Sequence, residues 1–259
     1  MQNDLTRGSL FETAAEKYEE FRPSYAMGVV DGLVHRAHLS EGARLLEIGC
    51  GTGKATRLFA PKGFQMDCVD PGEQLLEIAK TVCKPWPNAR FSRAKLEELT
   101  LPPDFYDLVF AAQAFHWVDP ETRWKRCHAT LAPGGTMALL YNYAAIPADG
   151  PQRELSQRIL ALSGGTLVPK DHEEEIKRWV QEMAATGLFT GPETIRKGWS
   201  ERHDAESYLG LSLTYSDFMV LEKSAKELIS EAIRAAVRKN GGFWDVQFVT
   251  TAIHGRKES

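Results

Sequence analysis

The chain has 259 residues, 31 Lys plus Arg against 35 Asp plus Glu, and a net charge of −4 with neutral histidines. A hydrophobic share of 43% and a charged share of 25% are those of a folded globular chain and exclude a disordered one. The pI near 6.0 offers no basic footprint for a nucleic-acid backbone, no apolar run approaches the roughly 20 residues of a membrane span, and residues 1–10 lack the apolar run of a secretory signal. Cys50, Cys68, Cys83 and Cys127 contain no CxxC pair and read as reduced thiols, neither zinc ligands nor a disulfide framework. The expectation is a cytoplasmic protein without a metal, partner nucleic acid or membrane, built as one large domain that carries an insertion.

Phe11, Ala14, Ala15, Tyr18 and Phe21 recur at spacings of three and four and predict a helix. Arg22-Pro23 should end it, because the residue before proline is biased away from helical angles. A second helix over 26–37 completes an N-terminal helical cap over residues 1–40. Residues 43–142 then alternate apolar strands with helical stretches, which signals a parallel α/β sheet. The strands fall at 44–48, 65–69, 89–93, 108–112 and 136–141, and the helices at 54–60, 73–82 and 120–131. Asp119 is placed to cap the last of these, with Pro120 in its first turn. Ala132-Pro133-Gly134-Gly135 predicts a turn before the fifth strand.

Beyond residue 142 the pattern loosens. Pro147, Gly150, Pro151, Gly164, Gly165 and Pro169 punctuate it. A charged helix follows over 173–186, in which Glu173-Glu174-Glu175 reads as a solvated face. A strand fits 194–202. Leu228, Ile229, Ala232, Ile233, Ala236 and Val237 form one face of a helix over 224–239, stopped by Asn240-Gly241-Gly242. A closing strand fits 246–254. Residues 143–220 are expected to be a substrate lid whose aromatic residues, among them Tyr143, Trp199, Tyr208, Tyr215 and Phe218, together with His203, pack mostly onto the sheet. Residues 221–259 would close the domain.

The most informative stretch is Leu45-Leu46-Glu47-Ile48-Gly49-Cys50-Gly51-Thr52-Gly53-Lys54: a buried strand, a glycine-rich loop, then a helix. Glycine there permits positive φ and close backbone approach to a ligand. A dinucleotide fingerprint would want its third glycine where Lys54 stands, and Gly53-Lys54-Ala55 lacks the Ser or Thr of a phosphate-binding Walker loop. Glu47 at the strand tip also repels phosphate but suits an ammonium or sulfonium. Asp70, 21 residues after Gly49, stands where doubly wound folds hold ribose hydroxyls; beside Pro71-Gly72 it also reads as a turn residue. Together these residues favour a nucleoside ligand that carries positive charge.

LEIGCGTG, the acid in CVDPG, FYDLVFAAQAFHW and the LAPGG turn resemble class I S-adenosylmethionine-dependent methyltransferases, nearest the small-molecule branch related to trans-aconitate methyltransferases. The resemblance covers residues 11–142 well, and the closing helix and strand more loosely. It implies a Rossmann-like, doubly wound sheet of seven strands ordered 3-2-1-4-5-7-6, with strand 7 antiparallel. It also implies S-adenosyl-L-methionine as cofactor. Gly49, Cys50, Gly51 and Gly53 would bracket the methionine part, with Glu47 near its amino group; Asp70 and Pro71 would hold the ribose side. Leu96 and Glu97 would pass the adenine edge, where Lys95 replaces a common acid, and Gln113 would face the cofactor from the opposite side. Tyr18 and Arg22 would close over the cofactor, since a guanidinium can grip a carboxylate bidentately; the alternative is a surface arginine on a capped helix.

Phe115-His116-Trp117 follows the fourth strand, at the sheet edge where such folds bind ligands. His116 reads as a general base or as pocket wall, and Phe115 and Trp117 as wall or core. Tyr25, Tyr141 and Asn142 complete the expected acceptor side. The reading is a monomeric or homodimeric methyltransferase acting on oxygen or nitrogen of a small molecule, including a carboxylate. Its rivals are a macromolecule methyltransferase and a cofactor-binding protein with lost or redirected chemistry.

Overall fold

The computed structural model describes residues 15–168 and 171–258. Phe11, Ala14 and Pro169 lie outside them. Two compact units emerge: a larger one of residues 24–142, 172–197 and 250–258, and a smaller one of 15–23, 143–168, 171 and 198–249. Seven strands form one sheet in the order β3 (Ala89–Arg93), β2 (Gln65–Asp70), β1 (Arg44–Ile48), β4 (Tyr106–Ala112), β5 (Leu131–Ala145), β7 (Phe243–Arg256) and β6 (Thr190–Asp204), with β7 antiparallel. Among the described residues no helix is long and apolar enough to cross a membrane.

In the larger unit, α2 (Met27–Arg36) precedes β1 (Arg44–Ile48), which lies between β2 (Gln65–Asp70) and β4 (Tyr106–Ala112). Leu46 is opposite Asp67 on one side and Val109 on the other, both parallel. A strand paired on both edges and covered on both faces has no polar side, which is why Leu45, Leu46 and Ile48 are all buried. Beneath them Val29, Val30, Leu33, Phe59, Met66, Leu108 and Phe110 form one core, with the Phe59 and Phe110 rings 4.7 Å apart. β3 (Ala89–Arg93) closes one edge.

Several predicted bounds move for identifiable reasons. The helix expected over 54–60 is α3 (Thr56–Phe59) followed by a 3-10 turn at Ala60–Lys62, because Pro61 has no amide hydrogen to continue it. α4 (Glu73–Val82) matches its prediction. The helix expected from residue 120 is α5 (Arg123–Thr130). Asp119 accepts the Glu121 amide at 3.1 Å and the Thr122 hydroxyl at 2.8 Å, forming a turn ahead of the helix and not a helix cap. β5 (Leu131–Ala145) begins before the proline-glycine turn: Leu131 pairs with Tyr106 and Thr136 with Leu108, so the turn is an excursion inside the ladder.

The expected lid is not one body. α7 (His172–Ala185) and the first half of β6 (Thr190–Asp204) belong to the larger unit, because α7 buries Ile176, Trp179 and Met183 there. Trp179 meets Phe115 at 5.8 Å and stacks with Tyr141 at 6.1 Å.

The smaller unit contains α1 (Ala15–Phe21), α6 (Pro151–Leu162), α8 (Ala205–Leu213), α9 (Ser216–Met219), α10 (Lys223–Lys239) and the first half of β7 (Phe243–Arg256). Leu155, Leu209, Phe218, Ile229, Ile233, Val237, Trp244 and Phe248 form its core. Trp199 stacks on Phe248 at 4.9 Å and Tyr208 meets Trp244 edge-on at 5.0 Å. His203 is buried beside Tyr208 and Phe248, and burial pushes its pKa down. Leu228, expected on the buried face of α10, is 57% exposed; the face is centred on Ile229, Ile233 and Val237.

Candidate cofactor and acceptor site

Strand order reverses direction between β1 and β4, and open α/β sheets bind ligands outside the carboxyl ends of strands at that switch. Gly49, Gly51 and Gly53 lie there with φ of 67°, 55° and 82°. Their reasons for being glycine differ. A Cβ on Gly49 would lie 2.3 Å from the Ala114 Cβ, and one on Gly53 would lie 3.0 Å from the Cys83 sulfur. Those two are packing glycines. A Cβ on Gly51 would meet nothing within 4 Å, so the loop offers open space at its middle.

The loop is anchored from below. The Gly49 and Cys50 amides both donate to the Val69 carbonyl, at 2.8 and 3.1 Å. Asp70 Oδ2 accepts the Gly51 amide at 2.9 Å, and Oδ1 accepts the Gly72 amide at 2.8 Å. Asp70 therefore serves as the turn residue that one reading of the sequence anticipated. Its carboxylate also stands where doubly wound folds accept ribose hydroxyls.

Glu47 is fully buried on β1. The Thr56 hydroxyl donates to its Oε2 at 2.6 Å and the Cys68 thiol lies 3.7 Å from the same oxygen. Oε1 has no hydrogen-bond partner among the described residues. Burial raises the carboxyl to about 8; the bonds from Thr56 and Cys68 oppose that rise and the charge of Asp70 adds to it. The Cys50 thiol is likewise pushed up, first by burial. A folded-state pKa above the ordinary 4.5 means that the folded chain holds the proton more tightly than the unfolded one. That contribution to stability is complete below about pH 4.5 and is lost as pH rises through about 8. Glu47→Gln keeps an acceptor for Thr56 and cannot ionise. Its melting temperature should therefore gain on the wild type between pH 5 and 8, and a pH-independent difference would contradict this account.

Around the adenine-side residues the structure is tightly bonded. Leu96 is buried, and its carbonyl accepts Arg126 Nε and NH2 at 3.1 and 2.9 Å. Glu97 Oε1 accepts the Asp119 amide at 2.7 Å, which gives that acid a structural bond. Pro71 is exposed and its carbonyl accepts Arg93 Nε at 3.2 Å. Gln113 has a φ of 52°, unusual for a residue with a side chain, and is held by its Nε2 donating to the Asn142 carbonyl at 3.0 Å.

Tyr18 and Arg22 belong to the smaller unit. The Arg22 guanidinium lies over Tyr215 at 4.1 Å and Tyr18 at 5.5 Å, and NH2 donates to the Thr214 carbonyl at 3.0 Å. On the acceptor side, Tyr25 and Phe115 are buried, Phe115 against Trp124 at 4.6 Å. The Asn142 amide is used internally: Nδ2 donates to the Ser24 carbonyl and Oδ1 accepts the Thr250 hydroxyl, both at 2.9 Å. His116 and Trp117 are exposed, with rings 4.7 Å apart. Tyr141 is buried, and burial pushes its phenol up.

Sequence reasoning missed three participants. Thr56 holds Glu47 one helical turn past the loop. Arg123 is buried, donating to Glu182 Oε1 at 2.5 Å and to the Phe115 carbonyl at 3.2 Å. Glu175, read as a solvated residue, is half-buried with its Oε2 3.6 Å from His172 Nδ1. Only the i,i+3 spacing of His172 and Glu175 was a usable signal for the last.

Residues 46–139 match the methyltransferase domain family. The chain is 33% identical over 132 residues to an uncharacterised methyltransferase of Mycobacterium tuberculosis, covering 51% of each chain. It is 32% identical over 112 residues to a trans-aconitate 2-methyltransferase of Delftia acidovorans, covering 41% of each. The chain thus spans about half the length, or less, of these curated relatives. A solved structure from Anaeromyxobacter dehalogenans, provisionally described as a type II methyltransferase, matches 91% of this chain and 98% of its own with a TM-score of 0.66 and 23% identity, a likeness of fold. Residues 46–139 thus match a methyltransferase domain, and the strand order and glycine loop around them are similar to those of class I S-adenosylmethionine-dependent methyltransferases.

Proposed function

We propose that the chain binds S-adenosyl-L-methionine at the β1–β4 edge and transfers its methyl group to a small-molecule acceptor. The observation that carries this reading is the open face of Gly51, whose amide is held by Asp70, together with the buried, unpartnered Glu47 Oε1 on β1. Those features fit the cofactor. Gly51 gives the backbone room for close approach. Asp70 sets a carboxylate where doubly wound folds accept ribose hydroxyls. Glu47 offers a buried acceptor that an ammonium would draw into its ionised form, offsetting the desolvation that now keeps it protonated.

When bound, the cofactor supplies an electrophilic methyl group on a sulfonium. What the chain contributes is alignment of an acceptor with that carbon, which alone can remove several kcal/mol of barrier, about 7–11 in the most favourable intramolecular cases. His116 and Trp117, on the segment that leaves β4 past Gly49, are the residues we assign to the acceptor side. The trans-aconitate methyltransferase relative supports a small acceptor. The test incubates the full chain with methyl-labelled cofactor and pooled metabolite extracts, and follows label by mass spectrometry. Labelled small molecules are the expected result. Cofactor binding without label transfer to any pool would favour redirected chemistry, and label on protein or nucleic acid would favour a macromolecular acceptor.

A further inference from the structure

The 3-10 turn Phe115–Trp117, which carries the acceptor-side His116 and Trp117, is pinned by side chains at both ends. Two residues past it, the Asp119 amide donates to Glu97 Oε1 at 2.7 Å; at its start, Arg123 NH1 donates to the Phe115 carbonyl at 3.2 Å. Ala114, one residue earlier, packs against Gly49 of the cofactor loop. Arg123 is the first residue of α5. Its side chain is 8% exposed, with the guanidinium 5.1 Å from the Phe115 ring and 4.7 Å from the Trp179 ring of α7. NH2 donates to Glu182 Oε1 of α7 at 2.5 Å, and the same oxygen accepts Trp124 Nε1 at 2.6 Å. One guanidinium thus joins the turn, α5 and α7, all within the larger unit. Stability does not account for it. A cation in the first turn of a helix opposes the helix dipole, and a buried ion pair gains little over apolar side chains of similar volume. What a guanidinium adds is a rigid planar fork that fixes two acceptors in direction.

We propose that Arg123 is the positioning residue of the acceptor turn, and that Glu182, by holding Arg123, fixes α7 against that turn so that His116 and Trp117 are presented to the acceptor in one orientation. This rests on the methyltransferase reading above. Transfer depends on alignment, and a misplacement of about 1 Å can cost about a hundredfold in rate. The glycine loop has anchors of its own in the Val69 carbonyl and Asp70, neither of which passes through Arg123. Loss of the fork should therefore slow transfer while leaving the cofactor edge intact.

The test uses the full chain with 5-fluorotryptophan in place of tryptophan, the Trp117 fluorine signal being assigned with Trp117→Phe. Two variants are compared with the wild type. In the double variant Arg123→Met with Glu182→Gln, Met fills the guanidinium's place and Gln keeps an acceptor for Trp124. No buried charge is left unpaired, so the chain should fold. Arg123→Lys keeps the charge opposite Glu182 but not the fork, and decides the question should the double variant not fold. Calorimetry gives the number and affinity of S-adenosylhomocysteine sites, and the rate is label transfer per site to the small-molecule pool that the wild type labels. In both variants the Trp117 signal should shift or broaden and the rate per site fall about tenfold or more, with site number and affinity unchanged. A Trp117 signal or a rate per site like the wild type's overturns the proposal. So does a rate that falls only in step with sites or affinity, which a merely structural arginine would give, and so does failure of both variants to fold. If the wild type labels no pool, the function proposed above fails, and the Trp117 signal alone decides the placing of the turn.

Discussion

Gly49→Ala should unfold the chain far more readily than Gly51→Ala, although the two glycines are neighbours in one loop and share the left-handed conformation. At Gly49 the new methyl would meet the Ala114 Cβ at 2.3 Å while the backbone holds a φ of 67°. A left-handed alanine costs about 1–2 kcal/mol and overpacking a further 1–3, so a loss of roughly 2–5 kcal/mol is expected in denaturant melts. At Gly51 only the first cost applies, because nothing lies within 4 Å of the added carbon. The open space there is where we place the cofactor. Gly51→Ala should therefore lose about 1–2 kcal/mol of stability but tenfold or more in cofactor affinity. Equal stability for the two variants would mean that Ala114 yields easily and that the packing role assigned to Gly49 is wrong.

Asp70→Ala should damage both fold and binding. From sequence alone, an acid at a strand tip contributes little to a core, and its loss should be felt mainly by the ligand. The hydrogen bonds change that expectation. Asp70 takes the amide of Gly51 at 2.9 Å and that of Gly72 at 2.8 Å, so it fastens the glycine loop to the turn after β2 while being only 7% exposed. Removing it strands two backbone donors, at about 1–3 kcal/mol for each buried donor left unpaired. Denaturant melts without ligand should therefore show a loss of that order. Affinity for S-adenosylhomocysteine should fall by roughly another 1–3 kcal/mol, the scale of charge-assisted hydrogen bonds to ribose hydroxyls. A stable variant with weakened binding would make Asp70 a pure ligand residue. A destabilised variant with unchanged affinity would make it a pure turn residue.

The centre of the sheet was legible because β1, β2 and β4 are largely buried and announce themselves as short apolar runs. β1 and β3 fall on their predicted residues and β2 gains only Asp70. Ends shifted where a side chain competed for the backbone. Asp119 captures the Thr122 hydroxyl and the Glu121 amide and so delays α5, and the ladder of β5 reaches past its own proline-glycine turn to Leu131. The second half of the chain was harder. Proline and glycine punctuation suggested a single irregular insertion, yet α7 is held by Trp179 and Met183, whose partners Tyr141 and Gly255 lie far away in sequence. Contacts of that range leave no periodicity to read. The loop that marks the cofactor edge was legible from its glycines. That Gly49 and Gly51 serve different ends was not, because the distinction lies in Ala114, 65 positions downstream. Glu175 was misread for a similar reason: three consecutive glutamates look solvated, and the third is half-buried beside His172.

The most direct test of the central claim is isothermal calorimetry of the purified full chain with S-adenosylhomocysteine and, separately, with NAD. The glycine loop, Asp70 and the unpartnered Glu47 oxygen predict saturable binding of the first and none of the second, with affinity for the first reduced in Gly51→Ala. Tight binding of NAD with no heat from S-adenosylhomocysteine would contradict the account.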